Sequence, residues 1–264
     1  MSVATTDKPD SIDDKPMPLI DHLIELRRRL LWSVAAFLIA FFVCYHFSGQ
    51  IFSFLAEPLA NILEERGQNR RLIFTQLTEA FFTYLKVAFF GAAFVSFPIV
   101  ATQVWLFIAP GLYRSEKRAF APFLIATPIL FVLGAALAYY FIFPVAWSFF
   151  LSFESPTGGG GVPIQLEAKV GEYLDLVMKL IFAFGVAFEL PVALSLMAKV
   201  GLISSKGLSR YRRYAYVGMF IIAAVLAPPD VITQCGLALP LIGLYEISII
   251  AARIVEPKRA NDDA

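Results

Sequence analysis

Charge is scarce in this chain: Asp, Glu, Lys and Arg make up 16% of its 264 residues, against about 25% in an ordinary soluble domain. That shortage excludes a conventional water-soluble surface. Cysteine is nearly absent too. Cys44 and Cys235 lie far apart in apolar surroundings and form no CxxC pair, so they read as two buried small hydrophobes rather than a redox centre or metal knuckle. Histidine occurs twice, at His22 and His46, too few for a metal cluster, and no metal or other cofactor is expected. The sequence has no Walker motif, no Gly-rich dinucleotide loop, no HExxH and no Ser/His/Asp arrangement. It is not expected to be an enzyme or to hydrolyse ATP. The formal net charge is +1, and no nucleic-acid partner is expected. Residues 1–18 are polar, acidic and proline-bearing without a cleavable signal pattern, and read as a disordered tail.

What is present is apolar length. The chain is 58% hydrophobic and contains 26 Phe, with several runs long enough to cross a bilayer, which takes roughly 17 to 25 residues. The fold class is an all-α, polytopic membrane protein. Leu19, Leu23, Leu26 and Leu30 recur at helical spacing, which predicts a short amphipathic helix near the membrane surface, turning into the bilayer at Arg27, Arg28 and Arg29. Span one follows over residues 30–47. Residues 48–79 form a loop outside the spans, with a short surface helix over 51–62 bent at Pro58. Span two covers 81–107, with Lys86 near one end where its long side chain can snorkel. Residues 119–153 carry no charge, too long for one straight crossing and too short for two, which predicts one kinked span with Pro122, Pro128 and Pro144 as bends. Span four covers 173–198. Spans five and six, 214–227 and 231–245, would be short, about 21 to 23 Å against a hydrocarbon core of about 30 Å.

Charge placement decides the count and orientation. Lys199, Lys206, Arg210, Arg212 and Arg213 precede the short pair, and Arg253, Lys258 and Arg259 follow it. Both clusters belong on the cytoplasmic side only if the chain goes out and returns across Pro228, Pro229 and Asp230. Over the whole chain, sixteen basic residues fall on that side and four (Arg66, Arg70, Arg71, Lys169) on the other. Six spans with both termini cytoplasmic follow. The organisation is a tail over 1–18, one six-span domain over 19–253 and a second cytoplasmic tail over 254–264.

Glu189 has no basic residue within nine positions, so a charged carboxylate there needs protonation, a partner or water. A structural carboxyl bonded to a neighbouring helix and a polar site on a concave face both remain open. Gly185 and Pro191 beside it permit close approach or a bend. Glu25 and Glu116 stand at membrane edges among basic residues. Each can be a locally paired surface carboxylate, Glu25 with Arg29 and Glu116 with Lys117 or Arg118, or together they can receive a cationic partner.

Four stretches carry a family resemblance: His22-Leu-Ile-Glu25-Leu-Arg27-Arg-Arg-Leu30, Gln103-Val-Trp105-Leu-Phe107-Ile-Ala-Pro110-Gly-Leu-Tyr113-Arg-Ser-Glu116, Phe184-Gly-Val-Ala-Phe188-Glu189-Leu-Pro191 and Pro228-Pro229-Asp230. Their order and spacing resemble TatC, the receptor core of the bacterial twin-arginine translocase, over residues 19–253. The resemblance implies a cup-shaped six-helix bundle in the bacterial cytoplasmic membrane. It implies binding of twin-arginine signal peptides of folded precursors, energy from the proton-motive force, and assembly with the single-span TatA and TatB subunits and further TatC copies. Glu25, Arg27 and Glu116 would bind the signal peptide and Glu189 would be the polar point of the concave face. Pro58, Phe107, Pro110, Pro228, Pro229, Asp230 and Gln234 would be structural or partner-binding. Ala227 departs from the threonine that relatives often carry there. A proton-coupled solute transporter built on Glu189 is the alternative, against which stands the lack of an inverted repeat.

Overall fold

A computed structural model of the chain describes residues 19–67, 71–108, 121–155, 165–226 and 231–256. Those residues are helical apart from short connections and one isolated parallel bridge between Ile73 and Lys169. Five helical segments are long and apolar enough to cross a membrane: Ile20–His46, Glu79–Phe107, Pro122–Leu151, Val170–Lys199 and Thr233–Val255.

The first helix, α1 (Leu19–His46), is continuous. The expected surface helix and turn at the arginines do not exist. Residues 19–46 contain no Gly or Pro, so nothing breaks the hydrogen-bond ladder, and Leu23, Leu26 and Leu30 are exposed along it. Helix α1 packs along α3 (Glu79–Ile108). Gly91 makes the contact close, because a Cβ there would meet Cys44 Sγ at 3.1 Å.

Between them, α2 (Ser48–Glu65) is longer than the sequence suggests and holds Pro58 inside it, buried. Proline has no N–H for the carbonyl four residues back, here that of Phe54. The Tyr139 hydroxyl donates to that oxygen at 2.7 Å, and the Tyr139 ring stacks on Phe54 at 4.4 Å. Tyr173 donates to the next carbonyl, Leu55, at 2.9 Å. Pro58 thus exposes a backbone acceptor by which α2 is docked on the bundle. Arg66 extends the docking by donating to the carbonyl oxygens of Leu151 and Ser148.

The long uncharged run is one segment in three parts: α4 (Ala121–Leu137), a π turn (Ala138–Ile142) and α5 (Phe143–Leu151). The widening falls just ahead of Pro144, which cannot bond the carbonyl of Tyr140, and it places Tyr139 against α2. Helix α4 crosses α6 (Val170–Ala187) closely. A Cβ on Gly185 would fall 2.6 Å from the Phe131 ring, and one on Gly134 would strike the Phe184 carbonyl oxygen. Span four then breaks at Phe188 and Glu189, and α7 (Leu190–Lys199) restarts with Pro191 in its first turn. Glycine and proline here do what their positions suggested.

The end of the bundle away from the arginines, the far end, is stitched by backbone and carboxylate. Ile73 N–H donates to Ala168 O and Val170 N–H to Ile73 O. Glu79 accepts from the N–H groups of Thr75 and Gly171. Lys86 does not simply snorkel; it pairs with Asp175 at 2.7 Å.

After α8 (Ser205–Arg210), α9 (Arg212–Leu226) is short, at 15 residues. The last helix, α10 (Val231–Val255), has 25 residues and is not short. It runs past residue 245, the expected end of the span, and carries Glu246 within it. The Glu246 carboxylate accepts from Arg212 at 2.8 Å and Tyr216 at 2.5 Å, and with those partners the helix continues through Ile247, Ile249 and Ile250. At the other end of α9, Lys179 donates to the carbonyl of Val225, a helix-end oxygen with no intrahelical donor.

Candidate functional site

The start of α1 and the end of α3 meet at the basic end of the bundle. His22 stacks on Phe107 with ring centroids 4.3 Å apart and planes 17° from parallel. Three residues on, Glu25 faces the same neighbour helix. Its Oε1 accepts from Arg29 Nε at 3.0 Å and from Arg29 Nη2 at 2.6 Å. Arg29 Nη1 donates to Gln103 Oε1 on α3 at 3.3 Å. The spacing of four puts Glu25 and Arg29 on one face, with the acid nearer the N-terminus, the favourable order. Asp21, Ile24, Glu25, Arg28, Arg29, Trp32 and Gln103 line a cavity of about 660 Å³ around this chain of contacts.

The cavity lining joins four charged residues and one amide to two apolar ones. Glu25 and Asp21 supply acceptors, while Ile24 and Trp32 supply an apolar wall. Arg27 is exposed and lies two residues from Glu25, about 200° round the helix, so it does not join the Glu25–Arg29–Gln103 chain. Glu116 and Pro110 lie outside the described residues, as do Pro228, Pro229, Asp230 and Ala227. Helix α3 ends at Ile108, next to the Phe107 that stacks on His22.

Glu189 sits elsewhere. It occupies the position before α7, makes no side-chain cap, and is 9% exposed. The buried Thr127 hydroxyl on α4 faces its carboxyl as the nearest side-chain donor, and neither group makes another hydrogen bond. Gln234 on α10 donates to the Phe220 carbonyl on α9 at 3.3 Å, so one of its amide hydrogens already serves the chain's own hairpin.

Sequence reasoning overlooked Gln103 and Trp32 as site residues, and Tyr139 as the partner of Pro58. Gln103 had a signal of its own: it is the single amide in the second half of an otherwise apolar helix.

Fold and site together define a polytopic all-α membrane protein whose polar mouth is built at one end of two packed helices, with no metal-holding group among the described residues. A family model described as Sec-independent protein translocase protein (TatC) matches residues 21–240. The TatC proteins of Magnetococcus marinus and Escherichia coli are 51% and 38% identical to it, each over 95% of this chain, covering 89% and 93% of the relatives. A crystal structure of the twin-arginine translocase receptor TatC superimposes with a TM-score of 0.74 at 39% identity, covering 89% of this chain and 99% of that one. A second, in the detergent DDM, gives 0.75 at 40% identity, over 87% and 98%. The chain belongs to the TatC family of Sec-independent protein translocase proteins. It is a translocase subunit and not an enzyme.

Proposed function

We propose that this chain is the signal-peptide receptor of a twin-arginine translocase, exporting folded proteins across a bacterial cytoplasmic membrane at the expense of the proton-motive force. The observation that carries the reading is the mouth between α1 and α3. Glu25 offers a carboxylate at its rim, Ile24 and Trp32 offer apolar surface next to it, and α3 ends there, leading into the segment with Glu116. A guanidinium on a carboxylate makes a charge-assisted, planar bond that an ammonium cannot copy. Two membrane-edge glutamates next to apolar surface therefore suit two arginines followed by a hydrophobic segment. Arg27, on the other flank of α1, shapes the field around the mouth.

The five long segments together with α9 as a short sixth make a six-span bundle, cup-shaped, with Glu189 beneath its concave face. Both termini are cytoplasmic, with residues 1–18 and 254–264 as tails, because the basic residues gather at the end where α1 begins. TatA and TatB and further TatC copies pack against the α9–α10 hairpin and the exposed apolar surface of α1, with Gln234 offering its remaining polar atoms. Pro58, Phe107, Pro110, Pro228, Pro229 and Asp230 hold the loops and helix ends that frame these contacts. The relatives lend nothing to a proton-coupled solute transporter.

A photocrosslinker at Ile24 or Trp32 should capture a peptide bearing Arg-Arg ahead of an apolar segment, while one at Phe74, at the far end, should not. Capture from Phe74 alone would place the receptor site elsewhere. Single cysteines at Ser2 or Asn261 in a cysteine-free variant should stay unlabelled by an impermeant thiol reagent outside intact cells, while one at Gly159 labels. Labelling of either terminus would overturn the topology.

A further inference from the structure

The geometry points to Arg29 and Gln103 as positioning residues that present one oxygen of Glu25 to the incoming arginine and so set the preference for arginine over lysine. This rests on the receptor reading of the mouth. Both Arg29 bonds to Glu25 end on the same atom, Oε1, through Nε and Nη2. Oε2 accepts no hydrogen bond from any described residue. The third guanidinium nitrogen, Nη1, reaches Gln103 on the neighbouring helix. Gln103 fixes Arg29, and Arg29 fixes Glu25, with one carboxylate oxygen filled and the other open.

Two consequences follow from elementary physics. A free glutamate on a helix surface samples many rotamers, and ordering it on binding weakens the complex. A glutamate already held by a two-pronged grip from the next turn avoids most of that loss. The side chains of Glu25 and Arg29 are only 20% and 24% exposed, so the grip is partly shielded from water and salt. The second consequence concerns selectivity. Arg29 offsets the charge of Glu25, and Arg28 lies on the same cavity wall, so a simple cation gains little by entering. What remains attractive is a directed acceptor, Oε2, which rewards a planar group that can hydrogen-bond edge-on. A guanidinium does this and tolerates a second guanidinium nearby. A compact, strongly hydrated ammonium does neither.

The Gln103 link separates this from a plain surface ion pair. Gln103 does not touch Glu25, yet its acceptor decides where the Arg29 guanidinium lies. Substituting it should alter arginine selectivity without removing any group that bonds Glu25. Gln103→Leu suits an apolar helix and keeps the fold, so it serves as the second variant should Arg29→Leu fail to fold.

The experiment is a binding titration with the full chain in nanodiscs. The probes are labelled peptides carrying Arg-Arg or Lys-Lys ahead of the same apolar segment, tested on Arg29→Leu, Gln103→Leu, Gln103→Glu and Glu25→Gln. Arg29→Leu should weaken Arg-Arg binding about tenfold, the scale of one charge-assisted hydrogen bond, while Lys-Lys binding holds or improves. Gln103→Leu should lower the Arg-Arg to Lys-Lys ratio about threefold, as for one neutral-acceptor bond, and Gln103→Glu, which keeps the acceptor, should restore it. Tighter Arg-Arg binding by Arg29→Leu would show that Arg29 competes for Glu25 and would overturn the proposal. So would an unchanged ratio in both Arg29→Leu and Gln103→Leu while Glu25→Gln abolishes the preference. If Glu25→Gln itself kept the full preference, the receptor reading would fail, and this inference with it.

Discussion

Two glutamates in this chain solve the problem of a carboxylate at a membrane in opposite ways. Glu25 lies at the mouth between α1 and α3, with Arg29 bonded to one oxygen and the other open. Glu189 lies at the break between α6 and α7, buried, with the Thr127 hydroxyl of α4 as its nearest donor. Neither difference is visible in the distance to the nearest arginine along the chain alone. Depth and the neighbouring helix decide it: α3 brings Gln103 to the Glu25–Arg29 pair, whereas α4 and α6 close over Glu189 at a glycine-lined crossing. The first arrangement can receive a cation at its rim. The second holds a polar group that the surrounding core must tolerate.

The largest effect should come from filling that crossing. Gly185→Leu would drive a side chain into the Phe131 ring, and Gly134→Leu into the Phe184 backbone. Overpacking usually destabilises by about 1 to 3 kcal/mol and more when backbone must yield, so either variant should lose most folded protein, read by size-exclusion chromatography in detergent. At the mouth, Leu23→Ala should leave the elution profile unchanged, since Leu23 is exposed. A well-folded Gly185→Leu would mean that the two regions are packed alike.

Next is the carboxyl itself. An unpartnered buried polar group destabilises by about 1 to 3 kcal/mol, and an apolar group of similar shape can remove that loss. Glu189→Leu should therefore melt at the same temperature as the unaltered protein or higher, and bind the Arg-Arg peptide undiminished. Glu25→Leu should change the melting temperature little and lose the peptide. A marked fall in stability for Glu189→Leu would show that its contact with Thr127 is structural and erase the contrast.

A third comparison sets α2 against the spans. Tyr139→Phe strands the Phe54 carbonyl and should lower stability by about 1 to 3 kcal/mol. In a Pro58→Ala background the alanine N–H can take that oxygen, and the loss should shrink by about 1 kcal/mol, a coupling that a double-mutant cycle measures. Additive losses would mean that Tyr139 acts through its ring alone. The smallest effect should follow Gln234→Leu, which removes the bond to Phe220 and a polar handle for a partner helix. About 1 kcal/mol is the usual scale, visible as weaker co-purification of a single-span partner. Undiminished co-purification would remove Gln234 from the partner surface.

Much of the frame was legible because membrane spans are long, uncharged and punctuated. The bends near Pro144 and Pro191 and the close approach at Gly185 were readable from residue type. The Glu25–Arg29 pair was readable from its spacing of four. Errors arose at the ends of spans. Helix α10 runs past residue 245, with Glu246 partnered by Arg212 and Tyr216 from another helix, and the arginines at 27–29 do not turn α1. The interhelical groups, Gln103 on Arg29 and Tyr139 on Phe54, were illegible because their meaning lies in contacts 74 and 85 positions apart. For Glu189 the residue types left both a structural carboxyl and a polar point of a concave face open, because its surroundings depend on how α4 and α6 cross.

The most direct test of the central claim is the affinity of the Glu25→Gln, Glu116→Gln double variant for peptides with Arg-Arg or Gln-Gln before one apolar segment. Each substitution keeps the shape and removes the charge, so single variants should weaken Arg-Arg binding by roughly tenfold to a hundredfold. The double variant should bind Arg-Arg and Gln-Gln almost equally, with less-than-additive loss if both carboxylates clamp one rigid arginine pair. If the double variant still preferred Arg-Arg over Gln-Gln by the full unaltered margin, recognition would lie elsewhere, and the mouth between α1 and α3 would not be the receptor site.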